Sequence, residues 1–206
     1  MTTAARPRET QVARSARTRA ALLAAARTLF AEQGFAQTGR EEIAKRAGVT
    51  RGALYHHFAS KTEVAAAVVE ELEAELVDLV VAAALPGDGM LDQLHRGCRA
   101  YMEACADPTM ARILADAPAV LGLEHCRALD AAACVPLLAE VFALAAAEGI
   151  EVPGHPDVMA RLLLGLLNEA AALIAASPRD AALRDRVCTS VDLCLTRLFG
   201  PAPAPD

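Results

Sequence analysis

Residues 38–61, TGREEIAKRAGVTRGALYHHFASK, constrain the fold of this chain more than any other stretch. Thr38 and Glu41 fit a capping box, the T-x-x-E pattern that satisfies free amides at the start of a helix. Gly48 follows that helix, at the position where a left-handed residue commonly ends one. The stretch is therefore predicted to begin with a short helix that has a start signal at Thr38 and a stop signal at Gly48.

A second short helix and the start of a third follow directly. Thr50 can cap a helix over residues 51–57. Ser60 and Glu63 repeat the capping box and open the next helix. Two helices joined by a glycine-containing turn of three or four residues form the helix-turn-helix pattern.

The second helix of this pattern has one apolar and one polar face. Ala53, Leu54 and Phe58 are suited to pack against the first helix. In a helix-turn-helix the second helix enters the major groove of DNA, where Arg is the usual reader of guanine and Thr, Tyr and His can donate to phosphates. The predicted DNA contacts on this face are Thr50, Arg51, Gly52, Tyr55, His56 and His57.

Two cations flank these residues. Lys61 opens the third helix, where a cation opposes the helix dipole, but where a cation and free amides together attract phosphate. Arg40 opens the first helix, and we expect it to reach the DNA backbone. The alternative interpretation is that all these residues form the solvated polar face of a small helical domain.

Residues 18–61 resemble the N-terminal DNA-binding domain of the TetR family of bacterial transcriptional regulators. The resemblance rests on L-F at 29–30, G-F at 34–35, A-G-V-T at 47–50 and G-x-L-Y-x-H-F-x-x-K at 52–61. Arg40 departs from the family, which commonly has Val, Ile or Thr at that position. The resemblance implies that the main DNA contacts are Arg51, Tyr55, His57 and Lys61.

Helical periodicity continues through the rest of the chain and predicts an all-α fold. An N-terminal three-helix DNA-binding domain is expected to join, through one long helix, a C-terminal helical ligand-binding and dimerisation domain. The predicted segments are a disordered basic arm at 1–12, the helix-turn-helix domain at 13–60, the effector-binding and dimerisation domain at 61–199, and a disordered tail at 200–206.

Prolines and glycines set the other predicted helix ends. Pro118 is expected to end a short helix that begins at Pro108, and Pro136 to kink or split a long helix near Cys134. The predicted helices outside the helix-turn-helix span residues 13–33, 61–85, 90–105, 108–115, 123–149, 156–176 and 179–199.

The net charge of −6 conceals two oppositely charged parts. Residues 1–61 carry eleven Lys or Arg and four Asp or Glu, a net charge of +7, whereas residues 62–206 have a net charge of −13. A basic N-terminal part followed by an acidic remainder is typical of a protein that binds DNA through the basic part alone. The N-terminus lacks the apolar region of a signal peptide, and no uninterrupted apolar run is long enough for a membrane span. The six cysteines form no C-x-x-C pair, so reduced thiols and a cytoplasmic location are expected.

The last two helices, 156–176 and 179–199, are predicted to pair with a second copy of the chain. A homodimer would read a two-fold operator, as the resemblance also implies. The alternative is an ordinary intramolecular core. The residues assigned to this pairing are Met159, Leu162, Leu163, Gly165, Leu166, Ala170, Leu173, Ile174, Leu183, Val187, Val191, Leu195 and Leu198.

The middle helices are predicted to hold a small apolar or amphipathic effector, as TetR-like regulators generally do. Methionine adapts to varied ligand shapes, and small-molecule sites are mostly apolar with few polar groups. The predicted lining residues are Cys98, Met102, Cys105, Met110, Leu114, Leu121 and Cys126, with Asn168 as a polar anchor. No cofactor and no resident metal are predicted.

Three other functions are weighed against this ligand-controlled repressor. In the first, Cys98 and Cys105, with His95 one turn before them, make the repressor responsive to a soft metal or to oxidants. In the second, the chain is an enzyme with a Cys–His pair such as His125-Cys126, but no orienting third residue or oxyanion element is visible. In the third, the chain is an architectural or constitutive DNA binder with a filled core.

Overall fold

The computed structural model describes residues 10–85, 89–147, 149–177 and 179–199. Within these ranges it contains nine α-helices and no strand, which confirms the predicted all-α class. The helices are α1 (Gln11–Gln37), α2 (Arg40–Arg46), α3 (Arg51–His57), α4 (Lys61–Ala84), α5 (Met90–Cys105), α6 (Pro108–Leu121), α7 (Leu123–Ala147), α8 (Pro156–Ala176) and α9 (Ala181–Phe199).

Some predicted segments fall outside the described residues. These are residues 1–9 of the predicted basic arm, residues 86–88 of the predicted loop after the long helix, and the whole predicted tail at 200–206. Gln11 and Val12, at the end of the predicted arm, instead form the first turn of α1.

The chain divides into two compact units, Met1–Val68 and Val69–Asp206, and α4 begins in the first and ends in the second. In the first unit α1 packs against α2 and α3, and α2 packs against α3. Full burial of one large apolar side chain contributes about 1.5–3 kcal/mol to the free energy of unfolding. The largest buried side chains of this unit are Leu22, Leu23, Leu29, Phe30, Ile43, Leu54, Phe58 and Val64.

In the second unit α8 is the central helix, packed against α5, α6, α7 and α9. Phe142 of α7 is fully buried and stacks on Phe199 of α9, with 5.2 Å between the ring centres. The same core contains residues that had been assigned to dimer pairing. They are Leu163, Ala170, Ile174, Val187, Val191 and Leu195.

The turn between α2 and α3 has the predicted chemistry. Gly48 adopts φ 67°, a left-handed backbone that glycine accepts without a Cβ clash. The Val49 amide donates to the Ala44 carbonyl at 3.1 Å, and the Thr50 hydroxyl accepts from the Ala53 amide at 3.2 Å. Local hydrogen bonds thus end α2 and begin α3, and the two helices pack against each other through their apolar residues.

Thr38 does not form the predicted capping box. It is 1% exposed, and its hydroxyl donates to the Gly34 carbonyl at 2.8 Å. The chain continues α1 to Gln37 after a break at Gly34, so Thr38 ends that helix and Gly39 becomes the N-cap of α2. A buried hydroxyl needs a hydrogen-bond partner, and the Gly34 carbonyl supplies one to Thr38.

The predicted helix end at Pro118 is wrong, and of the predicted kink or split near Cys134 the split does not occur. α6 runs through Pro118 to Leu121 and ends at Gly122, where φ is 87°. α7 runs through Pro136 as a single helix. Each proline removes one backbone hydrogen bond, and the packing of α6 and α7 against each other and against α8 outweighs that loss.

Two helices, α7 and α8, are long and apolar enough to cross a membrane by length and composition alone. The sequence pattern had indicated no such segment. The core helix of a soluble protein passes the same test, and α8 occupies such a position in the second unit.

Gly34 offers a test of the first unit. Its backbone angles, φ 81° and ψ 165°, lie in a region that is essentially restricted to glycine. Gly34→Ala should therefore lower the free energy of unfolding by about 1–3 kcal/mol, measured by urea denaturation followed by circular dichroism. The control is Gly52→Ala in helical α3, which should be neutral or stabilising by up to about 1 kcal/mol. Equal stability of the two variants would contradict this account.

Candidate nucleic-acid interface and ligand cavity

The polar face of α3 is open to solvent, as its pattern predicts. α3 buries Leu54, and Phe58 is buried directly after the helix. The residues predicted to contact DNA remain accessible: Thr50, Arg51, Gly52, Tyr55 and His56 are exposed, and Arg40, His57 and Lys61 are half-buried. The structure thus places six of the eight predicted contacts on α3 or at its N-cap, and the other two at the starts of α2 and α4.

Tyr55 is the centre of a cluster of charged side chains. The Arg40 guanidinium lies 4.5 Å from the centre of the Tyr55 ring and donates to the Ala59 carbonyl at 2.9 Å. Arg51 lies within 3.4 Å of the Tyr55 hydroxyl and forms an ion pair with Glu41 at 2.7 Å. Cation–π contact and pairing hold both arginines in one orientation. Sequence reasoning missed Glu41 in this role because it had been assigned to a capping box.

Lys61 already has partners within the protein. Its ammonium lies 2.8 Å from the Phe35 carbonyl and 3.0 Å from the Thr38 carbonyl, with the Ala36 carbonyl at 3.4 Å. These carbonyls at the end of α1 offset the unfavourable position of a cation at the start of α4. A lysine ammonium has three donors, so a phosphate would compete with these carbonyls. The predicted phosphate contact stays a prediction.

The second unit contains an apolar cavity of about 600 Å³, counting the space at its mouth that is open to solvent. The wall comes from α4, α5, α7 and α8. It consists of Val77, Val80, Val81, Ala84, Gln93, Leu94, Gly97, Cys98, Tyr101, Cys134, Leu137, Leu138, Val141, Leu164 and Leu167.

Of the eight predicted ligand contacts, only Cys98 lies in this wall. Met102, Cys105 and Met110 are buried in the core, whereas Leu114, Leu121, Cys126 and Asn168 are half-buried. α5 turns the face of Leu94, Gly97 and Tyr101 towards the cavity, which is rotated from the predicted face of Cys98, Met102 and Cys105. The valines of α4 were missed because their helical spacing fits a core stripe equally well.

Two family profiles match the chain. The profile described as "Bacterial regulatory proteins, tetR family" matches residues 22–68, and the one described as "Tetracyclin repressor-like, C-terminal domain" matches residues 91–198, which is more than half of the chain. The chain belongs to the TetR family of bacterial regulatory proteins. It is a transcriptional regulator, and regulators of this family bind DNA through their helix-turn-helix.

A TetR-family transcriptional regulator from Pectobacterium atrosepticum has the same fold and 33% sequence identity, with a TM-score of 0.79 over 95% of this chain and all of that one. The regulator AcrR of Shigella flexneri is 42% identical over 34% of each chain. The repressor Rv3405c of Mycobacterium tuberculosis is 38% identical over 43% of this chain and 46% of its own. The matched segments thus span less than half the length of these two curated relatives.

A polar network lies inside the second unit of this TetR-family regulator and includes Asn168, the predicted polar anchor. Asn168 donates to the Asp130 carboxylate at 3.0 Å, and the Tyr101 hydroxyl donates to the Asn168 carbonyl oxygen. Glu73 is 5% exposed and shares a hydrogen bond with Asp130. Burial, followed by the neighbouring Asp130, raises the pKa of Glu73 to about 8, and burial also raises the pKa of Asp130.

Three buried cysteine thiols of this regulator have a raised pKa. Burial raises the pKa of the Cys98, Cys105 and Cys134 thiols to about 12, whereas an oxidant-sensing thiol needs a low pKa. Among the described residues no group of three or more His, Cys, Asp or Glu could hold a metal ion. His95 instead pairs with Asp192, with 2.9 Å between Nδ1 and Oδ1.

Glu73 predicts a pH dependence of stability. Its pKa is higher in the folded chain than in the unfolded chain, so the folded state holds a proton that the unfolded state releases. The contribution of Glu73 to stability should therefore be lost as the pH rises from about 4.5 to about 8. Glu73→Gln keeps a donor for Asp130 and cannot ionise, so its melting temperature should exceed that of the wild type near pH 8.

The control for this measurement is Glu71→Gln, an exposed position on the same helix. It should reproduce the wild-type fall in melting temperature with rising pH. If Glu73→Gln showed the same fall as the wild type, the buried ionisable role of Glu73 would be wrong.

Proposed function

We propose that this TetR-family protein is a repressor that binds a two-fold DNA operator as a homodimer and releases it when a small effector occupies the second unit. It acts by binding in the cytoplasm rather than by catalysis. The observation that carries the proposal is the pairing of an accessible polar helix, α3, with an apolar cavity whose wall includes α4. Its relatives named above are transcriptional regulators, and the Mycobacterium relative is a repressor.

The α3 residues have different proposed roles on DNA. Arg51 is exposed at the first position of α3, and its guanidinium matches the two acceptors of guanine. Tyr55, His56, His57 and Thr50 would donate to phosphates, and Gly52 would allow the backbone to approach a strand closely. Arg40 and Lys61 would reach phosphates from the starts of α2 and α4.

Arg51→Ala should relax the sequence preference at one or two base pairs, because a bidentate base contact supplies about 1–3 kcal/mol of discrimination. The measurement is selection of binding sites from random DNA, followed by titration of single-base variants. Arg46→Ala is the matched control, since Arg46 is an exposed arginine of α2 that pairs with Glu32 at 2.8 Å. An unchanged base preference in Arg51→Ala would disprove direct readout by Arg51.

The apolar residues that α8 and α9 leave exposed form the proposed homodimer surface. Leu162 is 63% exposed, and Val158, Leu173, Leu193 and Leu198 are also accessible in the single chain. A Cβ at the exposed Gly165 would meet no atom within 4 Å, which leaves room for a second helix to approach. Exposed apolar residues grouped on two adjacent helices are typical of an interface between proteins.

Leu162→Asp should convert the dimer into monomers, because a carboxylate at the centre of an apolar interface is desolvated without a partner. Sedimentation velocity would measure the mass, and circular dichroism would verify the fold. Leu144→Asp is the control, since Leu144 is an exposed leucine of α7 outside the proposed surface. A dimer that persists in Leu162→Asp would place the interface elsewhere.

The effector is proposed to act through α4. This helix begins at Lys61, four residues after the end of α3, and lines the cavity with Val77, Val80, Val81 and Ala84. An effector that prefers one position of α4 shifts the population of conformations towards that position. A change in the distance between the two DNA-binding domains of a dimer would then weaken operator binding.

A further inference from the structure

A buried acidic network lies next to the apolar cavity and has no part in the function proposed above. It joins four helices: Glu73 on α4, Tyr101 on α5, Asp130 on α7 and Asn168 on α8. The groups that act on the pKa of Glu73 are burial and Asp130, and those that act on Asp130 are burial, Glu73, Asn168 and its own backbone. The network thus brings together two carboxyl groups without a basic partner among the groups that affect them.

One oxygen of this network has no partner. Glu73 Oε2 is fully buried and makes no hydrogen bond to any described residue. An unpaired buried acceptor costs about 1–3 kcal/mol, and more when it is charged. Two carboxyl groups in contact also disfavour each other's ionisation, so the pair retains a proton. A cation placed beside Glu73 would relieve both costs at once.

The cavity and this network share one residue, Tyr101, whose hydroxyl donates to Asn168 while its ring forms part of the apolar cavity wall. Glu73 lies one helical turn before Val77, the first α4 residue of the wall. Leu167 of the wall is the neighbour of Asn168 in α8. The remainder of the wall is almost entirely aliphatic, which suits an apolar ligand body but gives it no anchor. A ligand with an apolar body and one positive group would match the wall and the network together.

We propose that the effector is an amphipathic organic cation, with its apolar body in the α4–α5–α7–α8 cavity and its amine or quaternary ammonium group beside the Glu73–Asp130 pair. This inference rests on the proposed effector function and specifies the chemical class of that effector. The titratable groups near the pair are Tyr101 and Cys105 on α5 and Cys126 and Cys134 on α7, all of which are neutral when protonated. The pair is therefore the source of negative charge for the cation.

Binding should also displace a proton. The cation stabilises the ionised form of both carboxyl groups, so it competes with the proton that they share. Affinity for a permanent cation should accordingly increase as the pH rises towards and beyond the raised pKa of Glu73, whereas affinity for a neutral molecule of the same shape should not change.

The test uses the full chain without DNA and two probes of the same shape. Benzyltrimethylammonium carries a permanent positive charge, and neopentylbenzene is its neutral isostere. Isothermal titration calorimetry in buffers of different ionisation enthalpy should show that the cation binds about tenfold more tightly or better, with proton release. Glu73→Gln and Asp130→Asn should each reduce this preference, and the exposed control Glu71→Gln should retain it.

Two results would overturn the inference: equal affinity for the cation and its neutral isostere in the wild type, or a preference for the cation that survives in both Glu73→Gln and Asp130→Asn. Release of a selected operator fragment is measured separately by fluorescence anisotropy. If the neutral probe alone binds and releases DNA, the effector function stands and the cation inference fails. If the cation binds in the predicted manner without altering DNA affinity, the ligand class stands and the effector function fails.

Discussion

The first unit depends on a group of hydrogen bonds to backbone carbonyls at the end of α1. Gly34 turns the chain out of the helix, the buried Thr38 hydroxyl donates to the Gly34 carbonyl, and the Lys61 ammonium donates to the carbonyls of Phe35 and Thr38. Hydrogen bonds to a charged group contribute about 1.5–3 kcal/mol each. They join the end of α1 to the starts of α2 and α4, so α3 is positioned by its neighbours and its polar residues stay at the surface.

The second unit uses polar groups differently. Glu73 is buried, and Asp130 and Asn168 are half-buried, next to a helical core that is otherwise apolar. Apolar side chains of similar volume often give a more stable core than a buried ionic network. An acidic pair with an unpartnered oxygen therefore lowers the stability of the folded chain. A ligand in the neighbouring cavity could offset this loss by binding to the pair. Functional sites are the usual location of such local conflicts between polarity and burial.

Features set by neighbouring residues could be predicted from the sequence. The Thr50 cap, the left-handed Gly48 and the packing of Phe35 on Phe30, with 5.4 Å between ring centres, all follow from residue types within a few positions. Thr38 was interpreted wrongly because its hydroxyl had two local partners to choose from, and it donates to the Gly34 carbonyl instead of capping α2. Pro118 was interpreted wrongly because the packing of α6 against α7 and α8 extends the helix beyond it.

The cavity and the acidic network depend on contacts between distant parts of the chain. α5 has two apolar faces, one with Cys98, Met102 and Cys105 and the other with Leu94 and Tyr101. The sequence alone could not show that the second of these faces lines the cavity. Glu73 lies among Glu70, Glu71 and Glu75, and this pattern indicates a solvated helix face. Its burial depends on Asp130, which is far away in sequence and reaches it only in the folded unit.

In the proposed mechanism, the position of Glu73 on α4 would link recognition of a charged ligand to the control of DNA binding. A ligand shifts a conformational equilibrium only if its affinities for the two states differ. An apolar ligand in an adaptable apolar cavity binds both states with similar affinity and therefore shifts the equilibrium little. A cation held between Glu73 and Asp130 binds best when α4 and α7 keep these carboxyl groups together, because charge attraction in a buried site depends steeply on distance. The helix that carries Glu73 also carries Lys61 at its first turn. In the proposed mechanism, a shift of α4 towards a bound cation would be a shift of the helix that begins at Lys61.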